Sequence, residues 1–272
     1  MTTFAQYLTK NKPEYAHLIS KIGEVIGHTP DWEDLTKSNL HTIKSDWLER
    51  LSANSVKTYM AVIQSVMNQN SEEVVLPKNF ADSMRVKKQA STAVYLTEQE
   101  IERLVRVPTK SNNEEFTKSM FLLQYYTGCR YSDAINLDQT NIQDGELTYV
   151  SQKTKIAVSV PVKPIIEQLI RTTTTLERPC KRTYIDQIKK LCHKAKITQE
   201  VKIFKGGKSV SGQKYLFVGT HTARRSFATN LLLRGADIYT ISKLMGHSSV
   251  EMTMRYICSQ VVLNDKLKNF FE

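Results

Sequence analysis

One stretch, residues 221–256, most constrains what this chain can fold into. It reads HTARRSFATNLLLRGADIYTISKLMGHSSVEMTMRY, so histidines, arginines and a tyrosine stand among apolar helical positions. Cationic groups packed this closely are stable only where an anionic group meets them. The stretch therefore predicts a site that handles phosphate.

The spacing of the first polar pair predicts where that phosphate would bind. We expect a helix to open at His221, after Thr220. Arg224 is three positions on, so the two side chains share one face of the first turn, beside the positive end of the helix dipole. That turn suits an anion.

The second half of the stretch predicts two further short helices. One should run from Asp237 to about Met245, and His247 should lie in the turn that follows it. The pattern Ser248-x-x-Glu251 is typical of a capping box, which predicts a last helix that carries Tyr256.

These residue types together permit transesterification at a phosphodiester. A tyrosine oxygen can form a covalent intermediate, and two guanidiniums can bind the non-bridging oxygens bidentately. Preorganised cations would stabilise the developing negative charge without a metal. The leaving 5′ oxygen needs a proton, and a lysine on a hairpin tip is a suitable general acid.

A predicted β-hairpin supplies such a lysine. The segment GELTYVSQKTKIAVSVPV, from Gly145, alternates apolar and polar residues on both sides of a polar KTK turn. Lys153 lies at or beside the tip. Lys155 is the rival, because turns read from sequence slip by a residue or two.

Charge and hydropathy narrow the class of partner. The net charge is +11; residues 1–90 hold 11 Lys/Arg and 10 Asp/Glu, and the remaining residues hold 27 and 17. The positive excess in the C-terminal two-thirds indicates a polyanion, with nucleic acid first. Apolar runs are far shorter than the roughly 20 residues of a membrane span. The N-terminus lacks a secretion signal, and four cysteines without CxxC spacing favour reduced thiols in the cytoplasm.

Metal and nucleotide sites are not expected. No carboxylate or cysteine stands at ligand spacing beside His221 or His247. The basic segment GGKSVSGQK, from Gly206, follows Lys202 where a P-loop requires glycine, so we interpret it as a flexible loop without nucleotide. We therefore expect no cofactor and no metal.

Periodicity predicts two domains in a mainly α fold with a small β-hairpin or sheet. Residues 1–88 form a bundle of four or five helices, the clearest of which has Ser55 as N-cap and follows Asn54; Trp47 belongs to its core. Residues 89–95 form a basic linker. A capping box from Thr97 opens an α+β domain over 96–272. An amphipathic helix from Asn113 should end at Thr127-Gly128, where glycine suits the left-handed C-cap position, and further helices are expected from 130 onward and over 183–197.

The ordered set of motifs resembles the tyrosine site-specific recombinases of the phage-integrase family. In that family the catalytic residues occur in a TGxRxxE/D motif, a hairpin lysine, an HxxR box, an LxGH box and a tyrosine nine residues after the last histidine. The matching positions are Thr127, Gly128, Arg130 and Asp133; Lys153; His221 and Arg224; Leu244 to His247; and Tyr256. Each motif is weak alone, and the ordered set is specific.

The resemblance implies a reaction and a set of partners. Tyr256 would attack DNA to give a 3′-phosphotyrosine and a free 5′-hydroxyl, without ATP or metal. Residues 1–88 would be a SAM-like core-binding domain and 96–272 the catalytic domain, closing on double-stranded DNA recombination sites as a homo-tetramer in synapsis. The tail VVLNDKLKNFF, from Val261, would dock on a neighbouring protomer, or simply pack as a terminal helix. An accessory DNA-bending or directionality factor is expected, in a cytoplasmic, nucleoid-associated protein of a prokaryote or phage.

Two departures from the family pattern affect these expectations. Arg225 follows Arg224 where many members have histidine. Because it lies about 100° round the helix, we interpret it as a salt-bridge or phosphate contact. The chain also begins directly with the bundle, which makes regulation through an added arm-binding domain doubtful.

Other interpretations remain at this point. A non-catalytic DNA-binding regulator would account for the charge, and a type IB topoisomerase would share the tyrosine chemistry. Asp133 is better interpreted as an orienter of Arg130 or of a histidine than as a base. Tyr125, Tyr126 and Tyr131 are expected to pack, and Cys129 and Cys258 to carry no thiol chemistry.

Overall fold

The computed structural model describes residues 2–87, 89, 92–205 and 208–257. It is 58% helical, with a three-stranded and a two-stranded antiparallel sheet. The predicted mainly α fold class is confirmed. The chain divides into two compact units, the first comprising Met1–Ser91 and Phe204–Ser209 and the second comprising Thr92–Ile203 and the residues from Val210 onward. Within the described residues, no helix is long and apolar enough to cross a membrane.

Five α-helices build the described part of the first unit. They are α1 (Phe4–Asn11), α2 (His17–Ile26), α3 (Lys37–Arg50), α4 (Ala53–Gln69) and α5 (Phe80–Met84), with short 3-10 turns at Pro13–Tyr15 and Trp32–Asp34. The apolar stripe of α4 is buried as its periodicity predicts, and Trp47 is 2% exposed in the same core. The N-cap prediction was wrong by one turn, because Ser52, and not Ser55, accepts the capping hydrogen bond.

Eight α-helices and the sheets follow in the described residues from 92 to 257. The helices are α6 (Glu98–Arg106), α7 (Asn112–Thr127), α8 (Tyr131–Ala134), α9 (Pro164–Thr175), α10 (Lys181–Lys194), α11 (Thr222–Leu233), α12 (Ile238–Leu244) and α13 (Val250–Met254). The strands are β1 (Ile142–Gln143), β2 (Glu146–Val150), β3 (Ala157–Pro161), β4 (Glu200–Lys205) and β5 (Lys208–Gln213).

Helix α7 is the centre of the second unit. It packs against α9, α10 and α11, and from Phe116 to Gln124 nearly every side chain is buried. A helix that is buried on all sides needs no polar face. The amphipathic pattern from Asn113 therefore predicted only part of the surface that α7 buries. The helix ends at Gly128, which has φ 70° and caps α7 as predicted.

Strands β2 and β3 form an antiparallel hairpin in the segment where one was predicted. Leu147 pairs with Val160 and Tyr149 with Val158, and the inward side chains Leu147, Val158 and Val160 are buried. The predicted loop GGKSVSGQK was wrong: Lys208–Gln213 form strand β5, paired with β4. Its residues are mostly exposed, so the strand lacks the alternation of apolar residues by which strands are recognised in sequence.

Helix α11 is fixed to the start of the second unit. The Leu96 amide donates to Ser226 Oγ at 2.8 Å, and Asn230 Nδ2 donates to the Leu96 carbonyl at 3.1 Å. A nearly fully buried ion pair, Lys214 Nζ to Glu100 Oε2 at 2.5 Å, lies at the capping box of α6. Buried polar groups that have hydrogen-bond partners favour one arrangement, so the bonds of Ser226 and Asn230 to Leu96 give α11 a defined position.

Candidate active site

Arg224 is the buried centre of the candidate site. It lies in the first turn of α11 and is 0% exposed. Its Nη atoms donate to the carbonyls of Gly128 and Met245 and to His247 Nε2. Burial, followed by the nearby Arg130 charge, lowers the pKa of this guanidinium. Its buried Nε has no hydrogen-bond partner within the described residues, so one donor of the guanidinium is unsatisfied.

Gly128 makes this arrangement possible. A Cβ at Gly128 would lie 2.5 Å from Cε1 of Phe227, and its φ of 70° is left-handed. Only glycine therefore allows the end of α7 to approach α11 so closely. The close approach brings the Gly128 carbonyl to the guanidinium of Arg224.

His247 supports Arg224 from the other side. Its Nε2 lies 2.7 Å from Arg224 Nη2 and its Nδ1 lies 2.9 Å from Thr253 Oγ1. A guanidinium can only donate, so Nε2 is the acceptor and Nδ1 carries the proton. Burial, followed by Arg224 and Arg130, lowers the pKa of His247 to about 3. The ring is neutral near pH 7, and Thr253 fixes its tautomer.

Arg130 is held to the base of the hairpin loop. It is the residue before α8, is 6% exposed, and donates from Nη1 to Ser151 Oγ at 2.8 Å. Asp133 Oδ2 lies 3.8 Å from the same Nη1 and accepts from Ser151 Oγ at 3.2 Å. Asp133 Oδ1 accepts from the Gln152 amide at 3.0 Å. Asp133 therefore lies where an orienter of Arg130 would lie, and it also holds the loop of the hairpin.

Lys153 projects from that loop. Its side chain is exposed, and its charge contributes to the environment of His221. Thr154 Oγ1 donates to the Gly246 carbonyl at 2.9 Å. The loop is therefore attached on both sides of Lys153, to Asp133 through Gln152 and to Gly246 through Thr154.

The second attachment depends on another close approach. A Cβ at Gly246 would lie 2.6 Å from Val158 Cγ2, and Gly246 has φ 59°. Glycine here lets the turn before His247 pack directly on β3. Lys155 lies in the same loop with φ 57°. Within the described residues, the contacts of Lys153 and Lys155 do not show which of the two would be the general acid.

His221 and Tyr256 lie on the open side of the cluster. The His221 residue is exposed. Partial desolvation, followed by the charges of Arg224 and Lys181, lowers its pKa. The Tyr256 ring lies 5.2 Å from the His247 ring and 6.3 Å from the His221 ring, centroid to centroid. Arg224 Cζ is 5.4 Å from the Tyr256 centroid. The phenol thus belongs to the same cluster as the buried arginine.

The path of the chain to Tyr256 differs from prediction. Ser249, and not Ser248, caps α13 by accepting from the Met252 amide. The helix ends at Met254, so Tyr256 is not on the helix but follows it. His221 likewise precedes α11 as its N-cap residue and is not in its first turn. Cys258 and the tail from Val261 lie outside the described residues.

Sequence reasoning missed the residues that hold the others. Ser151, Thr154 and Thr253 each place a hydroxyl on a group that belongs to the cluster. Arg225 was interpreted as a salt-bridge or phosphate contact, but it donates to backbone carbonyls. Only their positions in the sequence could have indicated these hydroxyl residues. Ser151 and Thr154 lie on either side of Lys153, and Thr253 precedes Tyr256 by three residues.

The arrangement can bind and stabilise an anion. Arg130, Arg224, Lys153 and His221 converge with Tyr256, and a cluster of oriented donors stabilises charge that develops at phosphorus. Within the described residues, no group of histidine, cysteine and carboxylate side chains could hold a metal ion. The chemistry that these residues themselves can perform is acid, base and nucleophilic.

The chain matches a known protein family over more than half of its length. The family model described as "Phage integrase family" matches residues 94–261. The chain therefore belongs to the phage integrase family.

The curated relatives are distant and longer. The integrase of Haemophilus phage HP1 is 26% identical over 181 residues, which cover 66% of this chain and 48% of that protein. Tyrosine recombinase XerA of Pyrococcus furiosus is 28% identical over 164 residues, which cover 59% of this chain and 56% of the relative. The chain spans about half the length of the curated relatives that it matches.

Solved structures share the fold. A lambda integrase (75–356) dimer bound to a COC' core site superimposes with a TM-score of 0.68 at 18% identity, covering 93% of this chain and 95% of that one. The Tn1549 transposon integrase in complex with a circular intermediate DNA gives a TM-score of 0.66 at 13% identity, with 95% and 96% covered. These likenesses establish the architecture of the chain.

Proposed function

We propose that this chain is a tyrosine recombinase that cleaves and rejoins duplex DNA through a 3′-phosphotyrosine. The observation that carries the proposal is the position of Tyr256, whose ring lies against both His247 and Arg224. A tyrosine beside a buried guanidinium with an unpartnered Nε is suited to attack a phosphodiester held by that guanidinium.

The residues divide the reaction between them. Tyr256 Oη attacks phosphorus, and the bond from phosphorus to the 5′ oxygen breaks. Lys153 gives a proton to the leaving 5′ oxygen. His221 accepts the proton of the phenol, because its lowered pKa keeps the imidazole neutral near pH 7. Arg130 and Arg224 bind the non-bridging oxygens, while His247 fixes Arg224.

The phosphotyrosine keeps the energy of the broken bond, so rejoining needs no ATP. The free 5′-hydroxyl of a partner strand attacks the phosphotyrosine and releases Tyr256. Strand exchange between two sites requires several protomers, and we propose a homo-tetramer on two recombination sites, with the tail from Val261 docking in trans. Structures of lambda integrase as a dimer on a core site and as a tetramer on a Holliday junction support this assembly.

The first unit contributes DNA binding in this proposal. Residues 1–88 act as the core-binding domain and residues 96–272 as the catalytic domain, joined by the linker 89–95. The excess of basic residues after residue 90 supports affinity of the catalytic domain for the phosphate backbone. An accessory DNA-bending or directionality factor and action at the nucleoid in the cytoplasm belong to the same proposal.

A suicide substrate tests the proposed function. A duplex from the DNA flanking the gene, nicked so that the cleaved end diffuses away, should trap a covalent complex that denaturing gels resolve. Arg130→Ala and Arg224→Ala should bind the same duplex but trap no complex. Loss of binding with a normal fold in these two variants would support a non-catalytic DNA-binding protein, and relaxation of supercoils without strand exchange would support a topoisomerase.

A further inference from the structure

Arg225 is an arginine of the 221–256 stretch whose contacts the phosphate chemistry does not use. Its Nη1 donates to the Arg255 carbonyl at 2.9 Å and to the Tyr256 carbonyl at 3.2 Å. Its Cζ lies 5.6 Å from the centroid of the Tyr256 ring. One guanidinium thus contacts both the backbone and the ring of the residue proposed as nucleophile.

The two consecutive arginines face different partners because of helix geometry. Successive residues of an α-helix are about 100° apart. Arg224 therefore enters the core between Gly128 and Met245, whereas Arg225 extends along the surface of α11 to the segment after α13. The two arginines are neighbours in the sequence but contact different parts of the second unit.

The segment that carries Tyr256 has little regular structure to hold it. Helix α13 has five residues and ends at Met254. Beyond it, the Tyr256 amide donates to the Thr253 carbonyl at 2.8 Å, and Ile257 packs into a small cluster with Phe227. Carbonyls after a helix end are without intrahelical donors. A charged donor from a neighbouring helix is a strong way to satisfy them.

We propose that Arg225 is a positioning residue that holds the Tyr256 segment against the Arg224 and His247 pair of the same chain. The proposal rests on the proposed function of Tyr256 as nucleophile. With Arg225 in place, the phenol starts each reaction beside the phosphate-binding groups. Without it, the segment samples other positions, and only the fraction of chains with Tyr256 in place can react.

The alternative role for Arg225 is a phosphate contact, and the two roles predict different effects. A phosphate contact contributes counterion release, so its loss would lower affinity and reduce the salt slope by about 1. A contact to backbone carbonyls of the same chain releases no counterions from DNA. Its loss leaves the affinity and the salt slope unchanged and lowers the rate of cleavage at saturating DNA.

Hydrogen exchange provides a test that needs no DNA. In Arg225→Ala, we expect amides of residues 253–257 to exchange about tenfold faster than in the wild type, since a local opening loses two charge-assisted hydrogen bonds. Exchange in α7 should stay as in the wild type. Lys243→Ala removes one positive charge from the neighbouring α12 and should leave exchange at 253–257 unchanged.

Cleavage kinetics complete the test. On the nicked suicide substrate, Arg225→Ala should trap the covalent complex about tenfold more slowly at saturating DNA, and Arg225→Lys, which keeps a charged donor, should recover part of that rate. Duplex binding is measured in a Tyr256→Phe background, with and without Arg225→Ala, across a salt series. Equal salt slopes support the positioning role.

The outcomes separate the two proposals. Wild-type exchange at 253–257 in Arg225→Ala would overturn the positioning role, whatever the DNA assays show. A salt slope reduced by about 1 with unchanged exchange would assign Arg225 to phosphate. If the wild-type chain traps no covalent complex while Arg225→Ala still accelerates exchange, the contact is real and the proposed function is wrong.

Discussion

The most informative perturbation of the site is Thr154→Val. Thr154 Oγ1 donates to the Gly246 carbonyl at 2.9 Å, which ties the Lys153 loop to the turn that precedes His247. Valine has nearly the same shape as threonine but no hydroxyl. The substitution therefore removes one attachment of the loop and leaves the other, at Asp133, in place.

The size of the effect follows from one partly buried hydrogen bond. Such a bond contributes about 1 kcal/mol net, and somewhat more when the remaining carbonyl is left unsatisfied. If the loop must be attached for Lys153 to reach the leaving oxygen, the same free energy enters the barrier. Because 1.4 kcal/mol is tenfold in rate, we expect cleavage to slow about five- to tenfold.

The assay compares two leaving groups under single-turnover conditions. One suicide duplex has an ordinary 5′ oxygen at the cleavage site, and the other has sulfur in that bridging position. A thiolate leaves without a proton, so the sulfur substrate does not need the general acid. Thr154→Val should therefore be slow on the oxygen substrate and close to wild type on the sulfur substrate.

Thr154→Ser is the matched control, because it keeps the hydroxyl and should cleave both substrates nearly as fast as the wild type. Equal slowing of Thr154→Val on both substrates would show that the loop acts on something other than the proton. A Thr154→Ser variant as slow as Thr154→Val would show that the hydrogen bond to Gly246 is not the cause. Either result refutes the reasoning.

Two further predictions concern stability. Gly128→Ala should lower the free energy of unfolding by about 2–4 kcal/mol, because the backbone is left-handed there and the added methyl group would overpack against Phe227. Gly145→Ala, at φ 79° with open space around it, should lower the free energy of unfolding by only about 1–2 kcal/mol. Urea titrations measure both. Because the pKa of His247 is about 3 in the folded chain and 6.5 ordinarily, the unfolded chain binds the proton first, so its contribution to stability is complete above pH 6.5 and declines toward pH 3. The wild type should therefore lose more stability between pH 7.5 and 5 than His247→Gln does, and equal losses would contradict a neutral, buried ring.

Much of the fold could be predicted from periodicity and caps. The burial of one face of α4, the end of α7 at Gly128 and the hairpin around Lys153 all follow from local patterns. Strand β5 could not be predicted, because an exposed strand carries no alternation of apolar side chains. Cap positions were displaced by one to three residues, since neighbouring serines compete for the same role.

The order of the motifs predicts a set of residues for the candidate site but not their geometry. The order of motifs indicated which side chains belong together. No local pattern indicates that Arg224 is fully buried while Arg225, its neighbour, reaches the carbonyl of Tyr256. Contacts of that kind depend on how α11 packs against α7 and α12, which arises from residues far apart in the chain.

The central claim is that Tyr256 is the nucleophile, and locating the covalent bond tests it most directly. The trapped complex is digested with nuclease and trypsin, and mass spectrometry then identifies the peptide that carries the nucleotide. The attachment should fall on Tyr256, and Tyr256→Phe should bind the duplex and form no adduct. An adduct on another residue, or one that persists in Tyr256→Phe, would contradict the assignment.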